Sequence, residues 1–117
     1  MKNKDARQFL EIRTFIDSNL TSNITVTSLC RQFIVNRTKL QAGFQELFHT
    51  SVYAYIVQRR MEQAAERILK TDDPIKEIAL DSGYKKQRSF NKSFKSIYKD
   101  TPGSYRKKYQ SPENKAP

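Results

Sequence analysis

The sequence predicts an all-α fold of seven helices, and three observations support this. Only three glycines and four prolines interrupt the 117-residue chain. Apolar residues recur at helical spacing, and the alternation of β-branched residues that is typical of strands is sparse. No run of about 18 apolar residues occurs, which excludes a membrane-spanning helix, and we expect no secretory signal at the N-terminus. The chain is long enough for one domain, or for two very small ones that share an element.

The first four helices are predicted from apolar residues spaced three or four positions apart. Thr25 precedes the second helix and Asn36 precedes the third, and their side-chain oxygens are of the kind that caps free helix amides. We place these four helices near residues 4–19, 26–33, 37–48 and 51–70.

The last three helices are predicted near residues 74–82, 86–98 and 102–108. Asp73 is the expected N-cap of the first of these, with Pro74 at its first helical position. Gly83 then ends that helix, because glycine adopts the left-handed backbone of a helix end without steric cost. Thr101 and Pro102 begin the last helix in the same way. We expect disorder at both ends of the chain, at residues 1–3 and 110–117.

An internal repeat indicates two helix-turn-helix units. Leu29-Cys30 match Ile78-Ala79 at an offset of 49, and a second set of apolar residues matches at an offset of 50. That second set pairs Leu40, Phe44, Phe48 and Tyr55 with Phe90, Phe94, Tyr98 and Tyr105. We therefore predict a first unit at 5–50, a long connector helix at 51–70, a second unit at 71–108 and a disordered tail at 109–117. A connector of roughly 30 Å is close to the ~34 Å between successive major grooves of B-DNA.

Positive charge is concentrated in the second unit. Residues 85–108 include nine Lys or Arg and one acid, Asp100, so this segment carries +8 of the formal +10. A solvated helix face usually mixes charges of both signs. A basic stripe on a folded helical unit is the electrostatic pattern of phosphate contacts, which predicts a nucleic-acid partner.

The second unit also carries a specific motif. Its parts are Ile75-Lys76-Glu77-Ile78-Ala79, Gly83-Tyr84, Phe90, Phe94-Lys95 and Thr101-Pro102-Gly103-Ser104-Tyr105-Arg106. With these residues the chain resembles the DNA-binding domain of the AraC/XylS family of bacterial transcription regulators, over about residues 5–108. The connector, with Tyr55, Ala64 and Leu69, looks like the linker helix of the family, whereas the first unit matches more loosely.

The resemblance implies sequence-specific binding of double-stranded DNA by two helix-turn-helix motifs in adjacent major grooves. It also implies regulation of bacterial transcription in the cytoplasm, with RNA polymerase as a further partner. Two alternatives stay open: a protein-interaction module whose basic face meets an acidic partner, and a non-specific nucleic-acid binder. The doubled unit and the groove-length connector argue against the first alternative.

The resemblance assigns candidate contacts residue by residue. The positions that match base-contacting ones are Thr38, Gln41, Ala42, Gln87, Arg88, Asn91 and Lys92. Arg makes bidentate contacts to guanine and Gln or Asn to adenine, while Ala42 reaches only a thymine methyl. Phosphate contacts are expected from Arg37, Lys39, Arg59, Lys85, Lys86, Lys95 and Arg106. The alternative role for these side chains is solvation of an exposed helix face.

Departures from the family pattern lie at helix ends. Ile34, His49 and Lys99 occupy positions where the family often has glycine. If those ends are left-handed, each substitution costs on the order of 1 kcal/mol. Lys85 stands where a serine-like N-cap is common, which predicts a poorly capped start of the sixth helix.

Catalytic and metal chemistry find little support in the sequence. Cys30 is the one cysteine, which excludes an internal disulfide and fits a reducing cytoplasm. His49 has no second ligand at metal spacing, and there is no glycine-rich phosphate loop. Aromatic residues at 53, 55, 90, 94, 98 and 105 resemble a stacking platform, but their helical spacing favours core packing. We therefore predict no enzyme activity, no cofactor, no metal site, no membrane contact and no small-molecule ligand.

Overall fold

The computed structural model describes residues 2–112 and contains seven α-helices, with no β-strand among those residues. The helices are α1 (Asn3–Ser18), α2 (Val26–Phe33), α3 (Arg37–Phe48), α4 (Val52–Lys70), α5 (Ile75–Asp81), α6 (Gln87–Tyr98) and α7 (Pro102–Tyr109). The predicted fold class is confirmed, and every helix end lies within one residue of its predicted position. The side chains of Thr25, Asn36 and Thr101 cap α2, α3 and α7 as expected.

The chain forms two compact units, and the boundary between them in the sequence follows Val57. The first contains α1, α2, α3 and the start of α4, and the second contains the rest of α4 with α5, α6 and α7. Each unit therefore has one helix-turn-helix motif, α2–α3 in the first and α5–α6 in the second. The division lies inside α4, so this helix supplies core residues to both units.

The first unit is built around one apolar core. Its buried members are Phe9, Ile12, Ile16, Leu20, Leu29, Val35, Leu40, Phe44, Val52 and Ile56. The start of α4 is also attached by a polar contact, because the Tyr55 hydroxyl donates a hydrogen bond of 2.7 Å to Asp17 on α1. The Tyr55 ring packs edge-on against Phe44 with 5.6 Å between centroids. These contacts hold α3 with one face against α1 and the other free.

Gly43 allows α1 and α3 to pack closely. It lies in the middle of α3, where a methyl group on its Cα would overlap the ring of Phe9. Phe9 is fully buried in the core of the first unit. The absence of a side chain at Gly43 is therefore a packing requirement of the first unit.

We expect Gly43→Ala to lower the free energy of unfolding by about 2 kcal/mol, since overpacking of a core costs roughly 1–3 kcal/mol. Gly103→Ala is the matched control, because a Cβ at Gly103 in α7 meets nothing within 4 Å. That control should change the free energy of unfolding by less than about 0.5 kcal/mol. Urea denaturation of both variants measures the difference, and equal stabilities would contradict the packing requirement.

The second unit has a separate core with a layer of aromatic rings. Its buried apolar residues are Met61, Ala64, Ala65, Ile68, Ile78, Ala79, Phe90 and Phe94. On α6, Phe94 contacts Tyr98 at 4.7 Å between ring centroids, and both rings contact Tyr105 on α7. Burial of the Tyr98 ring raises the pKa of its hydroxyl. The aromatic layer thereby attaches α7 to the inner face of α6.

Side chains of α7 and its C-cap also satisfy the end of α4. Arg106 Nε donates to the Ile68 carbonyl at 3.0 Å. The Gln110 amide donates to the carbonyls of Ile68, Leu69 and Thr71, the last at 2.8 Å. The last carbonyls of a helix lack partners within that helix, so these bonds replace water there.

The predicted disordered tail therefore starts too early. Tyr109 is the last residue of α7 and Gln110 is its C-cap. The sequence shows the charged and polar composition of this segment but not the free carbonyls at the end of α4 to which Gln110 bonds. The rest of the predicted tail, residues 113–117, lies outside the described residues. At the other end, Asn3 is the first residue of α1, so the expected N-terminal disorder is wrong at this position.

The predicted N-cap of α5 is also wrong. Pro74 is the cap residue, with φ −59° and ψ 140°, and no side chain caps this helix. Asp73 instead accepts a hydrogen bond of 2.9 Å from Arg67, which lowers the pKa of its carboxyl. Arg67 also donates to Asp81 at 2.7 Å, so one guanidinium joins α4 to the loop before α5 and to the last residue of α5. Because α5 starts at Ile75, Asp73 lies one residue before the cap position, where it pairs with Arg67 instead.

Three helices end at left-handed residues that are not glycine. Ile34, His49 and Lys99 have φ values of 52°, 58° and 65°, so these ends are left-handed and the strain cost of the three substitutions applies. Gly83, after α5, has φ 94°. Its amide donates to Leu80 and the Tyr84 amide donates to Ala79, the pair of bonds of a Schellman C-cap.

Ile34 carries the largest strain of the three because it is β-branched. Ile34 is also 91% exposed, so little packing of its side chain offsets that strain. Ile34→Gly should therefore raise the free energy of unfolding by about 1 kcal/mol, since relief of the left-handed strain exceeds the entropy that glycine loses on folding. Ile34→Ala keeps a Cβ and should gain less than half as much. Thermal unfolding of the two variants checks this, and an equal gain in both would exclude backbone strain as the cause.

Candidate nucleic-acid interface

The outer face of α6 presents three cations. Phe90 and Phe94 are fully buried on its inner face. Arg88, Lys92 and Lys95 are four and three residues apart, so they lie together on the opposite face, and all three are exposed. None of the three makes an ion pair within the described part of the chain. Their charges are available to an anionic partner.

The start of α6 adds free backbone amides to these cations. The N-cap residue is Lys86, one residue after the expected Lys85, and no side chain caps the helix. The predicted lack of a capping group is confirmed, but the predicted cap position is wrong by one residue. Uncapped amides at a helix N-terminus carry partial positive charge and point outwards along the axis. Lys85 and Lys86 are both exposed at this end, so the first turn of α6 is electropositive.

The two amide side chains predicted on α6 differ in position. Gln87 is exposed in the first turn of the helix. Asn91 is half-buried, and its Oδ1 is buried without a hydrogen-bond partner among residues 2–112. Asn91 thus lies at the edge of the outer face, next to the core. Its oxygen is turned away from solvent.

The outer face of α3 has less hydrogen-bonding capacity than that of α6. Thr38 and Ala42 are exposed, and Gln41 is half-buried. Lys39 is exposed but forms an ion pair of 3.2 Å with Asp5 on α1. Arg37 donates a hydrogen bond of 2.8 Å to the Thr27 hydroxyl on α2. Both cations at the start of α3 therefore have partners within the first unit.

Two further arginines predicted to contact phosphate also have internal partners. Arg59 lies 2.7 Å from Glu62 in an ion pair on α4. Arg106 is half-buried, and its Nη2 is buried without a hydrogen-bond partner among residues 2–112. With Nε on the Ile68 carbonyl, the Arg106 guanidinium points into the second unit. The i,i+3 spacing of Arg59 and Glu62 on α4 is a signal that the sequence contains, whereas no spacing indicates the contact of Arg106 with Ile68.

Three exposed polar residues on these faces were not among the predicted contacts. Ser89 and Ser96 flank Lys92 on α6, and Gln45 lies three residues after Ala42 on α3. Helical spacing alone places them beside the predicted residues. The predicted contacts came only from positions that match the family, so this signal was present but was not used.

The structure separates the aromatic residues into core and surface. Phe90 and Phe94 are buried and Tyr98 and Tyr105 are half-buried, as expected of core packing, but Tyr53 on α4 is 72% exposed. Within residues 2–112 no group of His, Cys, Asp or Glu has the arrangement of a metal site. None of the helices in this range is long and apolar enough to cross a lipid bilayer.

Comparison with known families agrees with the two-unit architecture. The model of a family described as "Helix-turn-helix domain" matches residues 29–108, which include α3 and α6. The regulatory protein SoxS of Salmonella typhimurium is 30% identical over 92 residues, which cover 79% of this chain and 86% of SoxS. The raffinose operon regulator RafR of Pediococcus pentosaceus is 28% identical over 92% of this chain, but this match covers only 39% of RafR.

Solved structures share the fold. The C-terminal domain of AraT, a response regulator from Geobacillus stearothermophilus, matches with a TM-score of 0.87 and 28% identity over 91% of this chain and 88% of that domain. The DNA-binding domain of AdpA matches with a TM-score of 0.82 at 19% identity, over 86% of this chain and 91% of that domain. This chain therefore belongs to the AraC-type helix-turn-helix family of transcription regulators. It is a DNA-binding domain that acts in transcription regulation.

Proposed function

We propose that the chain binds one asymmetric site on double-stranded DNA as a monomer, with α3 in one major groove and α6 in the next. The observation that carries this proposal is the outer face of α6, where Arg88, Lys92 and Lys95 are exposed and free of ion pairs in the described part of the chain. AdpA, whose DNA-binding domain has this fold, was solved in complex with a target DNA. Two unlike recognition helices in one chain favour an asymmetric site over a palindrome.

The second unit is the main source of sequence specificity in this proposal. Arg88 can donate to both acceptors of a guanine, and Gln87 can bond an adenine in the same way. The first unit offers only Thr38, Gln41 and Ala42 at the matching positions, and Ala42 has no hydrogen-bonding group. A good bidentate contact contributes roughly 1–3 kcal/mol of discrimination between bases, so α6 has the larger capacity to discriminate.

Phosphate contacts position the domain and supply much of the affinity. Exposure and lack of ion pairs support this role for Lys85, Lys86 and Lys95. Arg37 and Lys39 lie at the start of α3 and join them after exchanging their internal partners for phosphate. For Arg59 and Arg106 the internal contacts support a structural role in the second unit.

We propose the domain organisation that the sequence indicates. We retain a first unit at 5–50 and a second unit at 71–108, with the helix at 51–70 as the connector between them. We also retain a bacterial cytoplasmic location, a binding rather than a catalytic role, and RNA polymerase as a second partner without a small-molecule ligand. The regulatory relatives support the binding role, and the free Cys30 supports the location in a reducing cytoplasm.

The direct test compares Arg88→Ala with Lys95→Ala on a duplex selected from a random library and on a scrambled duplex. Arg88→Ala should weaken binding to the selected duplex by roughly tenfold and relax the preference at one base pair. Lys95→Ala should weaken both duplexes alike and reduce the slope of log K against log salt by about one. Fluorescence anisotropy at several salt concentrations measures both effects. Equal losses on both duplexes for Arg88→Ala would favour non-specific binding.

A further inference from the structure

The first unit has few cations on its own recognition helix. Lys39 and Arg37 are the basic residues of α3, and each is already bonded within the unit, to Asp5 and Thr27. The exposed acid Glu46 lies on the same helix. The outer face of α3 therefore offers fewer unpaired cations to DNA phosphates than the outer face of α6 does.

The first two turns of α1 lie directly beside α3. The ion pair between Lys39 and Asp5 joins the first turns of the two helices. The Gln8 amide donates a hydrogen bond of 2.9 Å to the carbonyl of Phe33, at the turn between α2 and α3. An open groove runs along this junction. Its walls are thus parts of one rigid helix arrangement rather than loops.

Three cations at the start of α1 line this groove: the N-cap residue Lys2, and Lys4 and Arg7 within the helix. All three are exposed, and none makes an ion pair within the described part of the chain. Asp5 and Glu11 lie along the same groove, but the Asp5 charge is matched by Lys39. The groove as a whole is therefore electropositive at the side of the helix-turn-helix motif.

We propose that Lys2, Lys4 and Arg7, here called the α1 basic edge, bind phosphates of the DNA backbone that borders the groove occupied by α3. This inference rests on the proposed function. The DNA backbone runs along both sides of an inserted recognition helix, so cations fixed beside the start of α3 lie next to phosphates. They supply the first unit with the charge that α3 lacks.

Asp5 competes with DNA phosphate for the ammonium group of Lys39. Its carboxylate holds the Lys39 ammonium at 3.2 Å in the free protein, and a DNA phosphate competes for the same ammonium. Binding then exchanges one ion pair for another. The exchange lowers the net contribution of Lys39 and leaves the α1 basic edge as the main phosphate contact of the first unit.

The first experiment measures the salt dependence of duplex binding for the double variant K4Q/R7Q. Two lost phosphate contacts should lower the slope of log K against log salt by about two and weaken binding about tenfold, alike on selected and scrambled duplexes. The matched control is K70Q/K76Q, which removes two exposed cations that lie outside both recognition helices, the basic segment 85–108 and the α1 basic edge. Its slope should stay within about 0.5 of the wild-type value.

The second experiment isolates Asp5. Asp5→Asn should raise duplex affinity at least twofold more than Glu11→Gln does, although both remove one negative charge from the same groove. The extra gain should disappear in a Lys39→Gln background, because no ammonium is then released. Circular dichroism of each variant confirms that α1 remains folded.

The outcomes separate this inference from the proposed function. If K4Q/R7Q matches K70Q/K76Q while the wild-type protein binds its duplex, the α1 basic edge is refuted and the proposed function stands. If K4Q/R7Q leaves duplex binding intact and instead lowers recruitment of RNA polymerase, the edge contacts a protein and the inference is also refuted. A wild-type protein that binds no duplex would refute both.

Discussion

Burial of one phenylalanine at the centre of each recognition helix is the constraint on which the interface depends. Phe44 in α3 and Phe94 in α6 are completely excluded from solvent. Because a helix turns through 3.6 residues, a buried ring at one position fixes which side chains lie on the opposite face. On α6 that opposite face presents Arg88 and Lys92, and on α3 it presents Thr38 and Ala42. The packing of the core therefore determines which residues of each recognition helix face outwards.

Each small core is supported by contacts that are absent from a simple three-helix arrangement. In the first unit, Gly43 lets α3 approach α1, and Tyr55 is bonded to Asp17. In the second unit, Arg106 and Gln110 satisfy the end of α4, while the rings of α7 pack on α6. The strained left-handed ends act in the opposite direction. Rigid support of each recognition helix within its own unit offsets that strain.

The sequence was sufficient to predict contacts between near neighbours in the chain. Apolar spacing placed all seven helices, and the resemblance identified Ile34, His49 and Lys99 as residues at helix ends where the family often has glycine. Contacts between distant residues were not predictable. The bond from Arg106 to the Ile68 carbonyl joins residues 38 positions apart, and no periodicity encodes it. The pairing of Asp73 with Arg67 spans only six residues and was also missed, because Asp73 was expected to cap the helix that follows it.

The central claim is that one chain reads one asymmetric site, with most base discrimination from α6. Selection of binding sites from a random duplex library, followed by sequencing, tests this claim most directly because site length, symmetry and base preference emerge together. We expect a site of about two helical turns without a palindrome, and with strong base preferences confined to one half. A palindromic site, or equal preferences in both halves, would contradict the account.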